Sequence, residues 1–503
     1  MKKLLLLGLT VGVVAIVVVA VLDGVSHLNS KASALRKTAP VVTHSASSPA
    51  SSPSTPASTG LAIPAGVKLR QIDGGRHYFG SLDARSAWMD TTMLLGAWEE
   101  QPLSATDVSY DVQMGNNIYW NVAGTPQNMS CGGPCLVEYG VMRAGGMHLC
   151  TPNPPDSTSG SETVCTMVGD ELDMTSGPNP SAAEQAFDSS PVPGVITYQG
   201  YGKGVLFWET NAQASQFLKY SDLLAADSYW MTDPSLEVAS QGGCALLPES
   251  AACLEGNGLT AAQTALPANY AYNVTRLEYL ESLDGGSKPV VVDVETGCPM
   301  TNGECTTPAA FTAAAWHAII AGARGIIWFQ HNFSGPCIDY NTFYDGSNPA
   351  SSMHDCRING DETLSDIVSA VSAVNHEILG LNRVLLSPFA DNYVSVGDAD
   401  VSVMAKYSGR AFYVFAASGL PADPPPYNQT VTFRVAGGYT GNVYVVGEHR
   451  VLHAVDGVFT DTFADADSFH IYKLDGSGSS SPPSSPGPSP VALGSLVLGD
   501  IFR

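Results

Sequence analysis

Three carboxylates fall within four positions of GDELDM, residues 169–174: Asp170, Glu171 and Asp173. Only 14% of the chain is charged, so this is a local concentration. Like charges at that spacing raise one another's pKa values, which suits a proton donor working near neutral pH. A second acidic stretch is PVVVDVE, residues 289–295. Read as a strand, it puts Val291, Asp293 and Glu295 on one face, with Glu295 outermost. Two carboxyl groups flanking a glycosidic bond can cleave it, one protonating the leaving oxygen and the other attacking the anomeric carbon. On this reading Glu171 is the donor and Glu295 the nucleophile. Asp293, one layer deeper, reads as structural.

These residues need a scaffold that brings strand ends together. Eight short apolar runs read as strands: 93–98, 117–123, 145–150, 165–171, 194–200, 223–230, 289–295 and 325–331. Several are nearly continuous Val/Ile/Leu, as expected of parallel strands buried on both faces. Helical spacing lies between some of them, most clearly in TPAAFTAAAWHAIIAGA (307–323), with Pro308 at a first-turn position. The pattern predicts an α/β fold, a (β/α)8 TIM barrel over 65–385. From 386 to 475 strands come without helices, which predicts a C-terminal antiparallel β-sandwich, read as a packing domain on the barrel flank.

Barrel active sites lie at the C-terminal strand ends. Taken in chain order, those ends carry Trp98 with Glu99 and Glu100, then Asn121, His148, the Asp170–Glu171–Asp173 cluster, Gln199, Asp227 with Tyr229 and Trp230, Asp293 with Glu295, and Trp328 with Gln330 and His331. Carboxylates can catalyse, amides can bind hydroxyls and indoles can stack on pyranose faces. The site list is therefore Glu171 and Glu295 as catalytic, with Trp98, Asn121, His148, Asp170, Asp173, Gln199, Asp227, Tyr229, Trp230, Trp328 and His331 as substrate contacts.

The net charge of −24 argues against nucleic acid and against anionic membrane surfaces. A neutral sugar polymer meets no such penalty. MKKLLLLGLTVGVVAIVVVAVLDG opens the chain with two lysines and an apolar run, Leu4 to Leu22, and reads as a signal anchor or signal peptide over 1–23. Contact with a membrane is expected through this segment alone, and the bulk of the chain is expected outside the cell or on its surface. Ser/Pro-rich spacers follow at 24–64 and 476–490, with an apolar tail at 491–503. Ten cysteines fall into five neighbouring pairs: Cys131/Cys135, Cys150/Cys165, Cys244/Cys253, Cys298/Cys305 and Cys337/Cys356. In an exported chain they read as local disulfides.

GDELDM, VVDVETGCP and AWHAIIAGARGIIWFQH together resemble the barrel core of the retaining (β/α)8 glycosidases of glycoside hydrolase clan A. The resemblance covers roughly 65 to 385. It implies Glu171 as acid/base, Glu295 as nucleophile, Tyr229 holding the nucleophile and Trp328 flooring the sugar site, with no cofactor or metal. The chain carries Asp170 where that superfamily usually carries Asn, and lacks an obvious Arg at the end of strand two. A non-catalytic barrel that binds surface glycan is the alternative. There is no GxSxG elbow, and a metal hydrolase would have to gather His148, Asp227 and His331.

Overall fold

The computed structural model describes residues 60–122, 125–126, 135–151, 160–189, 195–246, 253, 255–300, 304–335, 337, 357–359, 362–397 and 399–476. The predicted signal segment, nearly all of both spacers and the apolar tail lie outside the described residues. Among those described, no helix is long and apolar enough to cross a membrane.

Eight parallel strands build the first layer: β1 (Leu94–Ala97), β2 (Ile118–Trp120), β3 (His148–Thr151), β4 (Thr163–Asp170), β5 (Ile196–Tyr201), β6 (Leu223–Ala226), β7 (Val290–Glu295) and β8 (Gly325–Phe329). Each falls on a predicted run. Their order in the sheet is β1-β8-β7-β6-β5-β4-β3-β2. A parallel bridge between Trp98 and Trp120 joins the two ends and closes the barrel. The closure depends on a glycine: a Cβ on Gly96 would lie 1.6 Å from the Ile118 carbonyl oxygen, so β1 approaches β2 only without a side chain there.

The longer helices described between the strands are α1 (Ala105–Gln113), α2 (Tyr139–Gly145), α3 (Ser181–Ser189), α4 (Asn211–Phe217), α5 (Tyr270–Leu283) and α6 (Pro308–Ala321), and α7 (Leu364–Gly380) follows β8. The helix predicted at 307–323 is α6, with Pro308 in its first turn and the Thr307 hydroxyl accepting from the Ala310 amide. No helix is described between β3 and β4. Those strands are neighbours and are joined by the Cys150–Cys165 disulfide. Cys244–Cys253 and Cys298–Cys305 also pair as predicted. Cys337 is disulfide-bonded, while Cys131 and Cys356 lie outside the described residues.

Alternation along the strands separates two apolar layers. Leu94, Ile118, Cys165, Ile196, Tyr198, Leu223, Val291 and Ile327 fill the barrel interior. Leu95, Ala97, Val290, Val292, Val294 and Ile326 pack outward against the helices. One feature was not expected: residues 78–90 plug the N-terminal end, with Phe79 and Met89 fully buried in the interior cluster. The Asp90 carboxylate fixes this plug by accepting from the Phe79 and Gly80 amides, both at 3.0 Å.

The C-terminal strands are β9 (Phe389–Asp391), β10 (Val394–Val396), β11 (Val401–Ser408), β12 (Ala411–Ser418), β13 (Gln429–Val435), β14 (Gly441–Val445), β15 (Arg450–Ala454), β16 (Val458–Phe463) and β17 (Phe469–Leu474). They form two antiparallel sheets, ordered β9-β11-β12-β17-β14-β15 and β10-β13-β16. The strand Lys68–Arg70, far earlier in the chain, adds to the edge beside β9. Phe412, Val414, Phe433, Phe459 and Tyr472 fill the space between the sheets. The opposite face of β12 and β17, through Phe415, Ala417 and Ile471, packs on the barrel's outer layer. Helix α6 is caught between sheet and barrel, which explains why it is apolar nearly all round.

Candidate active site

At the C-terminal face, three strand ends leave the allowed region usual for side-chain-bearing residues. Glu99, Asn121 and Glu171 have φ of +49°, +48° and +45°. Such conformations cost roughly 1–3 kcal/mol each and gather at functional sites. Here they follow β1, β2 and β4. The Asn121 amide donates to Glu99 Oε1 at 2.9 Å, tying two of them together.

A shift in register re-aims the third. Between Met167 and Gly169, β4 slips against β5, so that Gly169 pairs with Gln199 and Asp170 with Gly200. Cys165 and Met167 face the interior. Unbroken alternation would send Gly169 inward and Asp170 outward. The extra residue reverses this and brings Asp170 to the axis. Its Oδ1 lies 3.3 Å from where a Gly200 Cβ would stand, and that point is 3.9 Å from the Tyr198 hydroxyl. Glu171 then turns off the strand. Its Oε1 sits 2.5 Å from the position of a Gly202 Cβ, so the carboxylate closes over the backbone where the chain leaves β5.

The charges of this cluster act on one another. Asp170 is exposed at the face, Glu171 and Asp227 are half-buried, and Asp293 is buried. Although Asp170 as a residue is exposed, the protein around its carboxyl withdraws that group from water and, with Asp173 second, pushes it up to about 6. Burial, then Asp170 and Asp173, push Glu171 up to about 7, while Lys203 opposes the rise. Lys203 is ion-paired with Asp233. Burial raises Asp293 well above the usual carboxylate range, followed by the charges of Asp170 and Glu171. Burial, then Asp293, Glu171 and Asp170, do the same to Asp227. Asp170 also raises Glu99, after burial. The Tyr198 hydroxyl, Asp227 Oδ1 and Asp293 Oδ2 are buried with no protein partner among the described residues. Glu99, Asn121, Asp170, Glu171 and Asp227 therefore gather at this face, with Tyr198 and Asp293 buried beneath them.

Several expected contacts stand elsewhere. Glu295 lies on the inner face of β7 as read from sequence, but it is fully buried. Its Oε1 accepts from the Met231 amide at 2.9 Å, and burial pushes it up to about 8. Tyr229, expected to hold Glu295, hydrogen-bonds Asp227 instead. Asp173 is buried and accepts from the Gly202 and Val205 amides, at 3.2 and 2.7 Å, so it pins a turn and does not face the cleft.

His148 opens β3 and does not end it. It sits at the N-terminal end, stacked 3.8 Å from Trp88 of the plug, because α2 ends at Gly146 and the strand starts later than expected. This separates it from Asp227 and His331, so the three do not form a metal cluster. Among the described residues no group of three or more His, Cys, Asp and Glu could hold a metal ion.

Three more lie in the layer between barrel and helices. Gln199 shares the parity of Tyr201, which packs in the outer layer, and is fully buried. Trp328 shares that of Ile326 and faces the helices, donating to Asn375 Oδ1 on α7 at 3.0 Å. Trp230 packs in the same outer layer, donating to Asn273 Oδ1 on α5 at 2.9 Å. All three are fully buried. Trp98 faces inward at the rim but is nearly closed off, at 6% exposure. His331 is half-buried at the end of β8, beside Phe329, 5.5 Å between ring centres. Sequence reading missed Glu99 as a site residue, Tyr198, and the shared electrostatics of Asp293. For Tyr198 the signal was available, since it shares the inward parity of Ile196.

No family model matches the chain, and no curated protein matches it. Among solved structures it is similar to a glycoside hydrolase (11% identity, TM-score 0.41, covering 77% of this chain and 93% of that one). It is also similar to a glycoside hydrolase family 5 protein from Bacteroides vulgatus (10% identity, TM-score 0.40, 77% and 90%). A third is a GH51 arabinofuranosidase from Xanthomonas axonopodis pv. citri (10% identity, TM-score 0.41, 76% and 96%). Likenesses this low assign neither chemistry nor residues. The barrel rests on its own strand order and closure.

Proposed function

We propose that this protein is an exported glycoside hydrolase that cleaves a neutral oligo- or polysaccharide. The observation that carries the reading is Glu171: a half-buried carboxyl on the C-terminal rim, raised to about 7 by burial and by Asp170 and Asp173. Such a group holds a proton near neutral pH and can give it to a glycosidic oxygen. In the retaining form, a carboxylate on the inner face of β7 attacks the anomeric carbon as the leaving oxygen takes the Glu171 proton. Glu171 then accepts a proton from the water that releases the sugar. Glu295 is the first candidate for the attacking group, being at the rim of that face. To serve, it must shed its proton and be uncovered when substrate binds.

A second reading puts Asp293 in that role. Its carboxyl, unlike that of Glu295, is raised by both Asp170 and Glu171, and its Oδ2 has no protein partner among the described residues. Export is supported by the three disulfides, which persist in oxidising compartments.

Reducing-end release across a panel of neutral polysaccharides tests the function. Glu171→Gln is expected to lower kcat by about 10²–10⁴-fold on the active substrate. Loss of turnover in Glu295→Gln with retention in Asp293→Asn supports the first assignment, and the reverse supports the second. Turnover that survives in Glu171→Gln rejects the site.

A further inference from the structure

Beyond the acidic rim, a run of rings leads outward from the same strand ends. Tyr229, which hydrogen-bonds Asp227 in the cluster, lies 4.7 Å from Phe329, the last inward residue of β8. Phe329 meets His331 at 5.5 Å and Phe333 at 6.2 Å. The His331 and Phe333 rings are parallel within 4°, with centres 6.1 Å apart. Phe333 is 52% exposed.

The backbone carrying this exposed ring is firmly held. The Phe333 amide donates to the Cys298 carbonyl at 3.0 Å, and the Cys298 amide donates to Asn332 Oδ1 at 2.7 Å. Cys298 is itself bonded to Cys305. Thr296 closes the same loop on the Phe329 carbonyl at 3.0 Å. Phe333 therefore presents an aromatic surface on a braced loop, joined through Phe329 to the ring that bonds the acidic cluster. The net charge of −24 disfavours an anionic occupant.

The geometry points to Phe333 as a stacking platform for a sugar ring remote from the scissile bond, so that this protein recognises chains of several sugars rather than short glycosides. This rests on the glycosidase reading for the class of ligand, and it makes Phe333 a specificity-determining residue that takes no part in bond cleavage.

The test is calorimetric binding by the full chain, wild type beside Phe333→Ala and Phe333→Trp. The probes are hexasaccharides of β-1,4-glucan, β-1,4-mannan, β-1,4-xylan and α-1,4-glucan, each beside its disaccharide, with every protein in the Glu171→Gln background to stop turnover. Loss of one aromatic face is worth on the order of tenfold in Kd. The expected result is about that loss for the bound hexasaccharide in Phe333→Ala, recovery in Phe333→Trp, no change for the disaccharide and an unchanged Tm. An equal loss for both lengths, no loss for either, or no hexasaccharide binding by the unsubstituted Phe333 protein overturns the platform. Turnover with wild-type Glu171 is read separately. Turnover without length-dependent binding keeps the glycosidase and rejects the platform, and length-dependent binding without turnover does the opposite.

Discussion

At the scale of single residues, the Glu171 proton governs what the rim can do. Its pKa is raised by burial first and by Asp170 second. A donor must be protonated, so the alkaline limb of turnover is expected near pH 7, while the acid limb is set by ionisation of the attacking carboxylate once substrate is bound. Replacing Asp170 with Asn removes the second cause and leaves the first. The alkaline limb of the pH–rate profile should therefore move to lower pH in Asp170→Asn while staying above the ordinary range for Glu. A limb that does not move would show that Asp170 does not act on the donor. That neighbouring acids tune Glu171 is the proposal this limb tests, and Asp173 adds to the rise after Asp170. Asp173 is spent on backbone amides, and Asp170 is the exposed neighbour.

At the scale of elements, closure of the barrel and the slip in β4 position everything at the rim. Gly96 permits the first. A methyl group there would overlap the Ile118 carbonyl oxygen, and backbone in a closed sheet has little room to yield. Gly96→Ala is expected to cost about 3 kcal/mol, the upper end for overpacking, read as a lower denaturation midpoint with an unchanged m-value. A loss below about 0.5 kcal/mol would mean that β1 and β2 can part without penalty. The slip in β4 explains why alternation located the right strand end but misassigned its faces. Period-two reading is sound until one extra residue enters, and a bulge carries no reliable mark in a run such as CTMVGDE.

At the scale of the whole molecule, barrel and sandwich share a packed interface. Trp316 on α6 stacks on Phe415 of β12 and Phe469 of β17, with ring centres 6.0 and 5.5 Å apart. His317 bonds the Ser418 carbonyl at 2.9 Å, and Asn269 accepts from the Ala422 amide at 2.6 Å. The sandwich edge also takes in Lys68–Arg70, so chain entering the barrel passes through the C-terminal sheet first. Trp316→Ala should cost about 3–5 kcal/mol. Scanning calorimetry should then resolve two transitions where the parent protein gives one. A single transition at the parent's Tm would mean that this interface contributes little to cooperativity.

Composition and patterning by themselves determined the eight strands, the helix behind Thr307, the change to strands alone after α7 and three disulfides between near neighbours. These are local properties: burial on two faces demands apolar runs, helices need caps, and short loops bring cysteines together. The concentration of acid at the end of β4 was legible for the same reason. Tertiary structure alone decided which face each rim residue took. Trp328 and Gln199 went to the helix layer by parity, Trp230 through the turn that follows β6, and His148 went to the opposite end of the barrel because its strand began late. Asp293 came within electrostatic reach of Asp170 and Glu171, and both it and Glu295 were closed off. Whether a carboxylate meets water, a backbone amide or another carboxylate depends on neighbours distant in sequence, and those are set by the curvature and stagger of the closed sheet.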